Sequence, residues 1–133
     1  MQRIADTGLL KALLDKSDQH HGWAHREFQE NAPFHTCEAV LGELAYLVND
    51  PRLGMKLAAR GDVLLDFCLA AHVGEVLALL EKYADTPMDL ADACIVRMTE
   101  SVDQCKVWTV DKRDLRVYRR HGRQPIPCQF PDE

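Results

Sequence analysis

Apolar residues in this chain fall into short blocks whose spacing changes along its length, and those changes predict alternating strands and helices. Residues 2–5 can run as a strand, and leucines at helical spacing follow from Gly8 to Leu14, ending near Asp15 and Ser17. Asp18 stands where an N-cap belongs for a polar helix to about Asn31; Pro33 stops that helix, and "FHT" gives a second extended piece. "CEAVLGELAYLV" predicts a strong helix with Val40, Leu44 and Leu47 on one stripe, and "DPRLGMKLAARG" a shorter one opened by Asp50 and Pro51 and closed by Gly61. "DVLLDFCLA" is apolar enough for a buried strand, a helical turn being the alternative. Beyond it "HVGEVLALLEKYA" is helical, Pro87 breaks the chain, and "MDLADACIVRMTESV" begins another helix. "KVWTV", β-branched and aromatic, is the clearest strand, and "RQPIPCQF" suits an edge strand where prolines are tolerated.

This alternation, without repeats or low-complexity tracts, predicts an α/β fold: a three-layer α/β/α sandwich with a mostly parallel central sheet, formed by residues 1–133 as one domain. Ligands of such sheets bind outside the carboxyl ends of the strands, where loops and helix N-termini converge. A chain of 133 residues that is 47% apolar and 28% charged has the balance of a packed globule. Five cysteines, odd in number and without C-x-x-C spacing, read as reduced core residues of a cytoplasmic protein. The N-terminal leucines are interrupted by Asp6, Lys11 and Asp15, a pattern of neither signal peptide nor membrane span.

The net charge of −5 conceals an asymmetry. Between Lys106 and Arg123 lie seven basic side chains against two aspartates, so this segment carries +5 and the remainder −10. It can hold phosphates within an acidic protein, or it can be an ordinary solvated helix face.

Four acids occupy comparable settings. Asp6 directly follows the first strand and Asp111 directly follows "KVWTV", which puts both carboxylates at one end of a parallel sheet. Glu43 interrupts the apolar stripe of its own helix, where an unpaired carboxylate costs several kcal/mol or shifts its pKa upward. Asp92 lies near the start of its helix after the Pro87 break, with Asp89 three residues earlier. Each has a plain structural explanation as a cap, a turn or a salt-bridge partner. Together they can form one anionic cluster, which a hard cation such as Mg²⁺ or Mn²⁺ would neutralise.

"ADTGLLKALLD", "TCEAVLGELAYLV", "PMDLADACIV" and "VWTVDKRDLRVYR", in that order and over nearly the whole chain, resemble the PIN-domain ribonucleases, particularly the VapC-type toxins of bacterial toxin–antitoxin pairs. The resemblance implies a metal-binding and catalytic quartet of Asp6, Glu43, Asp92 and Asp111, with Thr7 and Thr109 supporting it as hydroxyl donors and Asp114 as an outer acid. Asp89 is assigned to capping or to support of the quartet. Glu38 lies about 140° around the helix from Glu43 and does not share its face. The implied reaction is hydrolysis of RNA to a 5′-phosphate and a 3′-hydroxyl with Mg²⁺ or Mn²⁺ as cofactor, and Arg113, Arg116, Arg119 and Arg120 are expected to grip the RNA backbone. The implied partners are an antitoxin that blocks the cleft and a second copy of the chain in a homodimer.

Two other readings compete. One is a non-catalytic PIN-like interaction module; the other is a phosphoacceptor receiver domain, which wants adjacent acids after the first strand where "IADTG" has one. His21 and His25, four apart on the polar helix, lack a third zinc ligand at suitable spacing and read as a solvated face, with Trp23 and Phe28 as packing or partner contacts.

Overall fold

The computed structural model describes residues 1–132. In chain order the elements are β1 (Gln2–Ala5), α1 (Thr7–Leu14), α2 (His21–Asn31), β2 (Phe34–Thr36), α3 (Glu38–Val48), α4 (Pro51–Ala59), β3 (Val63–Leu65), a 3₁₀ turn (Leu69–Ala71) and α5 (Val73–Lys82). They continue with α6 (Leu90–Glu100), β4 (Cys105–Trp108), α7 (Lys112–Val117), β5 (Arg119–Arg120), β6 (Gln124–Pro125) and β7 (Cys128–Gln129). Five strands form one sheet in the order β3-β2-β1-β4-β7, and every neighbouring pair is parallel. β5 and β6 form a separate antiparallel pair.

Successive strand residues point to opposite faces, so burial of both Ile4 and Ala5 on β1, and of both Val107 and Trp108 on β4, requires helices over both faces of the sheet. On one face Phe34 meets Trp108 edge-on at 5.3 Å and Phe28 of α2 at 5.0 Å, while Glu27 accepts the Trp108 indole N–H at 2.7 Å. Thr36 donates its hydroxyl to the Ala5 carbonyl, clamping β2 to the end of β1.

Local details depart from the sequence expectations. "DVLLDFCLA" pairs over only Val63–Leu65 and then turns into the 3₁₀ segment, and the tail divides between β6 in the hairpin and β7 at the sheet edge. Asp18 does not cap α2, whose N-cap position is His20; it accepts the His20 N–H and the Lys11 ammonium instead, and so fixes the turn between α1 and α2. His21 hydrogen-bonds through Nδ1 to the Ala12 carbonyl, tying α2 to α1. On α3 the buried stripe is Val40, Leu41 and Leu44; Leu47 is half exposed, because periodicity within one helix does not say which of two neighbouring faces will be covered. Cys68 is exposed, unlike Cys37, Cys94 and Cys105.

Arg120 is the largest departure. It is buried, and its guanidinium donates to the carbonyls of Thr99 and Val102. The last carbonyls of a helix lack partners within it, and Arg120 supplies one for the end of α6. It is therefore committed to the fold and does not join a phosphate-gripping row. Arg120→Ala leaves buried carbonyls unmatched, with an expected cost of about 2–3 kcal/mol, read as a lower urea midpoint at unchanged slope.

Candidate active site

Three helices begin where the parallel strands end, and each begins on an aspartate. Asp6 caps α1 by accepting the Thr7 N–H at 2.8 Å. Asp89 caps α6, accepting the Asp92 N–H at 2.8 Å while Asp92 accepts the Asp89 N–H at 3.1 Å, a reciprocal capping box. Asp111 caps α7 by accepting the Asp114 N–H at 3.0 Å. Capping and clustering are thus properties of the same residues, since the N–H groups that the caps satisfy also offset part of their charge.

These carboxylates line one pocket of about 260 Å³ with Glu43 of α3 and with Asp114. Thr7, Gly8, Leu47 and Val110 complete much of its wall. Asp6, only 6% exposed, lies deepest. Its second oxygen accepts the Thr109 hydroxyl at 2.8 Å, and the same Thr109 oxygen accepts the Asp111 N–H at 3.0 Å, so one threonine connects the ends of β1 and β4. Thr7 Oγ1 is buried without a well-formed hydrogen bond, although it lies near enough to Glu43 to favour the ionised carboxylate slightly.

The electrostatics follow from this crowding. Burial raises the Asp6 pKa against the opposing Thr109 and Thr7 bonds, and Asp111 and Asp89 add repulsion. Glu43 is pushed up to about 7, first by desolvation and then by Asp89 and Asp6. Asp92 also rises to about 7, from desolvation and the same two neighbours. Asp114 is raised by burial and by Asp111.

One participant escaped the sequence analysis. Tyr118, fully buried and edge-on to Tyr83 at 5.2 Å, directs its hydroxyl at Asp92 Oδ2 at 3.3 Å. No local signal marks it, because its partner is 26 positions away. Asp89, expected as a cap or as support for the quartet, caps α6 and also lines the pocket. Arg113 and Arg116 are exposed on α7 beside Asp111. Arg119 is half-buried and donates to the Arg116 and Tyr118 carbonyls.

The donor set fits a hard divalent ion: carboxylate oxygens gathered in one pocket, with pKa values raised by burial and by one another, beside the buried Thr7 hydroxyl, which lacks a well-formed hydrogen bond. Among the described residues, no three His, Cys, Asp or Glu side chains are arranged as a ready metal site. An open arrangement of this kind suits Mg²⁺, which binds through one or two carboxylates and keeps several waters. No described helix is long and apolar enough to cross a membrane.

No family model matches the chain, and no curated protein matches it. Among solved structures it is similar to the VapC20 toxin of Mycobacterium tuberculosis, described as cleaving the sarcin–ricin loop, with a TM-score of 0.67 and 21% identity over 84% of this chain and 92% of that one. The parallel sheet with an acidic pocket at its carboxyl end is thus built on the fold of a VapC toxin.

Proposed function

We propose that this chain is a metal-dependent endoribonuclease acting as a VapC-like toxin. The observation that carries the reading is the convergence of Asp6, Glu43, Asp92 and Asp111, from four separate elements, on one pocket at the carboxyl end of the sheet. The likeness in fold to a toxin that cleaves RNA supports it. A non-catalytic interaction module would leave the gathering of these carboxylates in one pocket without a purpose.

In this reading Asp6, Glu43, Asp92 and Asp111 hold Mg²⁺ or Mn²⁺. The bound ion supplies an activated water and offsets charge on the scissile phosphate. The chain's own groups prepare the site: the Thr7 N–H and Thr109 hydroxyl fix the rotamer of Asp6, and the Asp89 N–H and Tyr118 hydroxyl fix that of Asp92. Asp89 and Asp114 add negative potential, and the exposed Arg113 and Arg116 of α7, with Arg119 after it, would grip an RNA backbone. A cytoplasmic location, a homodimer and an antitoxin that covers the pocket belong to the same reading.

The test is cleavage of defined RNAs, a sarcin–ricin-loop hairpin and an unstructured oligonucleotide, with Mn²⁺ or with EDTA. Cleavage of at least one RNA with Mn²⁺ and none with EDTA is expected. Cleavage that persists in EDTA overturns the metal dependence, and intact RNA under both conditions overturns the nuclease.

A further inference from the structure

A second cavity, of about 410 Å³, adjoins the acidic pocket and shares Val110 and Asp111 with it. Its size falls within the roughly 300–1,000 Å³ of small-molecule clefts. It has room for one nucleotide.

Its walls are fixed from several directions. A Cβ at Gly8 would run into the Val110 side chain, so Val110 sits hard against the first turn of α1 and forms a firm partition between the cavities. His20 enters from the turn between α1 and α2; its backbone N–H is held by Asp18 at 2.8 Å, and its ring meets Trp23 edge-on at 6.5 Å. On the other side Lys112 lies with its ammonium 5.9 Å from the centre of the buried Phe130 ring, which Arg116 also covers at 5.2 Å. Pro131 gives an apolar surface, and Arg113 and Asp132 complete the wall.

The charges decide what this shape receives. Lys112 and Arg113 are balanced by Asp111 and Asp132, so the cavity is not a simple anion site. It offers donors and acceptors around a ring and an apolar surface, the chemistry that recognises an unstacked base by stacking and by its polar edge. We propose that this cavity is a nucleobase subsite that takes the base next to the scissile phosphate, stacked on His20 with its edge toward Lys112, Arg113 and Asp132. The placement beside the scissile phosphate rests on the nuclease reading above.

The test follows the His20 ring resonances by NMR while each of AMP, GMP, CMP and UMP is added to the full chain, with ribose 5-phosphate as the probe that lacks a base. At least one nucleotide is expected to shift His20 saturably, with an affinity about tenfold above that of ribose 5-phosphate. His20→Ala loses that advantage, measured on the remaining protein signals, and His20→Phe keeps it through stacking. The other five histidine signals report that the fold is intact. In RNA cleavage His20→Ala raises KM about tenfold with kcat little changed, as expected for a contact present equally in ground and transition states. Ribose 5-phosphate binding as tightly as every nucleotide, or His20→Ala retaining the full preference, overturns the subsite. Base-dependent binding in a protein that cuts no RNA leaves the subsite standing and overturns the nuclease; RNA cleavage by a protein blind to the base does the reverse.

Discussion

Asp6→Asn reduces Mn²⁺-dependent RNA cleavage by roughly 10²–10³-fold, the scale expected when one preorganised electrostatic element of an active site is removed. Asp6 is the most buried of the acids and receives hydrogen bonds on both oxygens, from the Thr7 N–H and the Thr109 hydroxyl. Asparagine preserves the shape and can still accept from Thr7, so α1 keeps its cap. What disappears is the charge, together with an acceptor for Thr109. The variant should therefore fold, with circular dichroism unchanged, and fail at catalysis. Asp85→Asn, at an exposed position outside the pocket, serves as the control with wild-type rates. Activity of Asp6→Asn within about threefold of wild type would remove Asp6 from the machinery.

Stripped of divalent ions, the wild-type protein loses stability as pH rises from about 4.5 to about 7. The sign comes from the direction of the shifts. Glu43 and Asp92 have ordinary values of 4.5 and 3.8 and sit near 7 in the folded protein, so across this window the folded state holds protons that the unfolded chain has released. Stability then falls with pH until both groups ionise in both states. The buried Asp6 contributes in the same direction. Both groups retain solvent contact and share one repulsion, which reduces the total to about 1–3 kcal/mol. For a domain of this size that corresponds to a melting temperature roughly 4–10 °C lower at pH 8 than at pH 5 in EDTA. Excess Mn²⁺ at pH 8 should recover the loss, because an ion that binds only the folded state stabilises it by mass action. Glu43→Gln should flatten the pH profile. A melting temperature that climbs between pH 5 and pH 8 in EDTA contradicts this account of the pocket.

The two predictions are linked. A site whose carboxylates repel one another stores an unfavourable energy that a cation releases, so function and metal-free stability pull in opposite directions at the same residues. Glu43 is the clearest case. Desolvation and the neighbouring Asp89 and Asp6 push its carboxyl up to about 7, and it shares the pocket-facing side of α3 with Leu47, whose half-exposed side chain lines the same wall.

What the sequence determined by itself is the alternation of elements and the position of those acids that follow a strand. Asp6 and Asp111 were readable because a parallel sheet brings the ends of β1 and β4 to one side, and strand pattern and chain direction are local properties. The same local signals could not distinguish a cap from a cluster at Asp6, Asp89 and Asp111, since an aspartate before a helix looks alike in both roles; only the packing of α1, α6 and α7 around one pocket made them both. Tertiary structure alone turned Arg120 inward to the end of α6, brought the Tyr118 hydroxyl to Asp92, and set His20 and Pro131 in the wall of one cavity. The reason is physical: a residue's neighbours along the chain set its periodicity and its cap, whereas its partners across the fold are chosen by which faces the packed helices leave for it, and that choice is made by the whole chain at once.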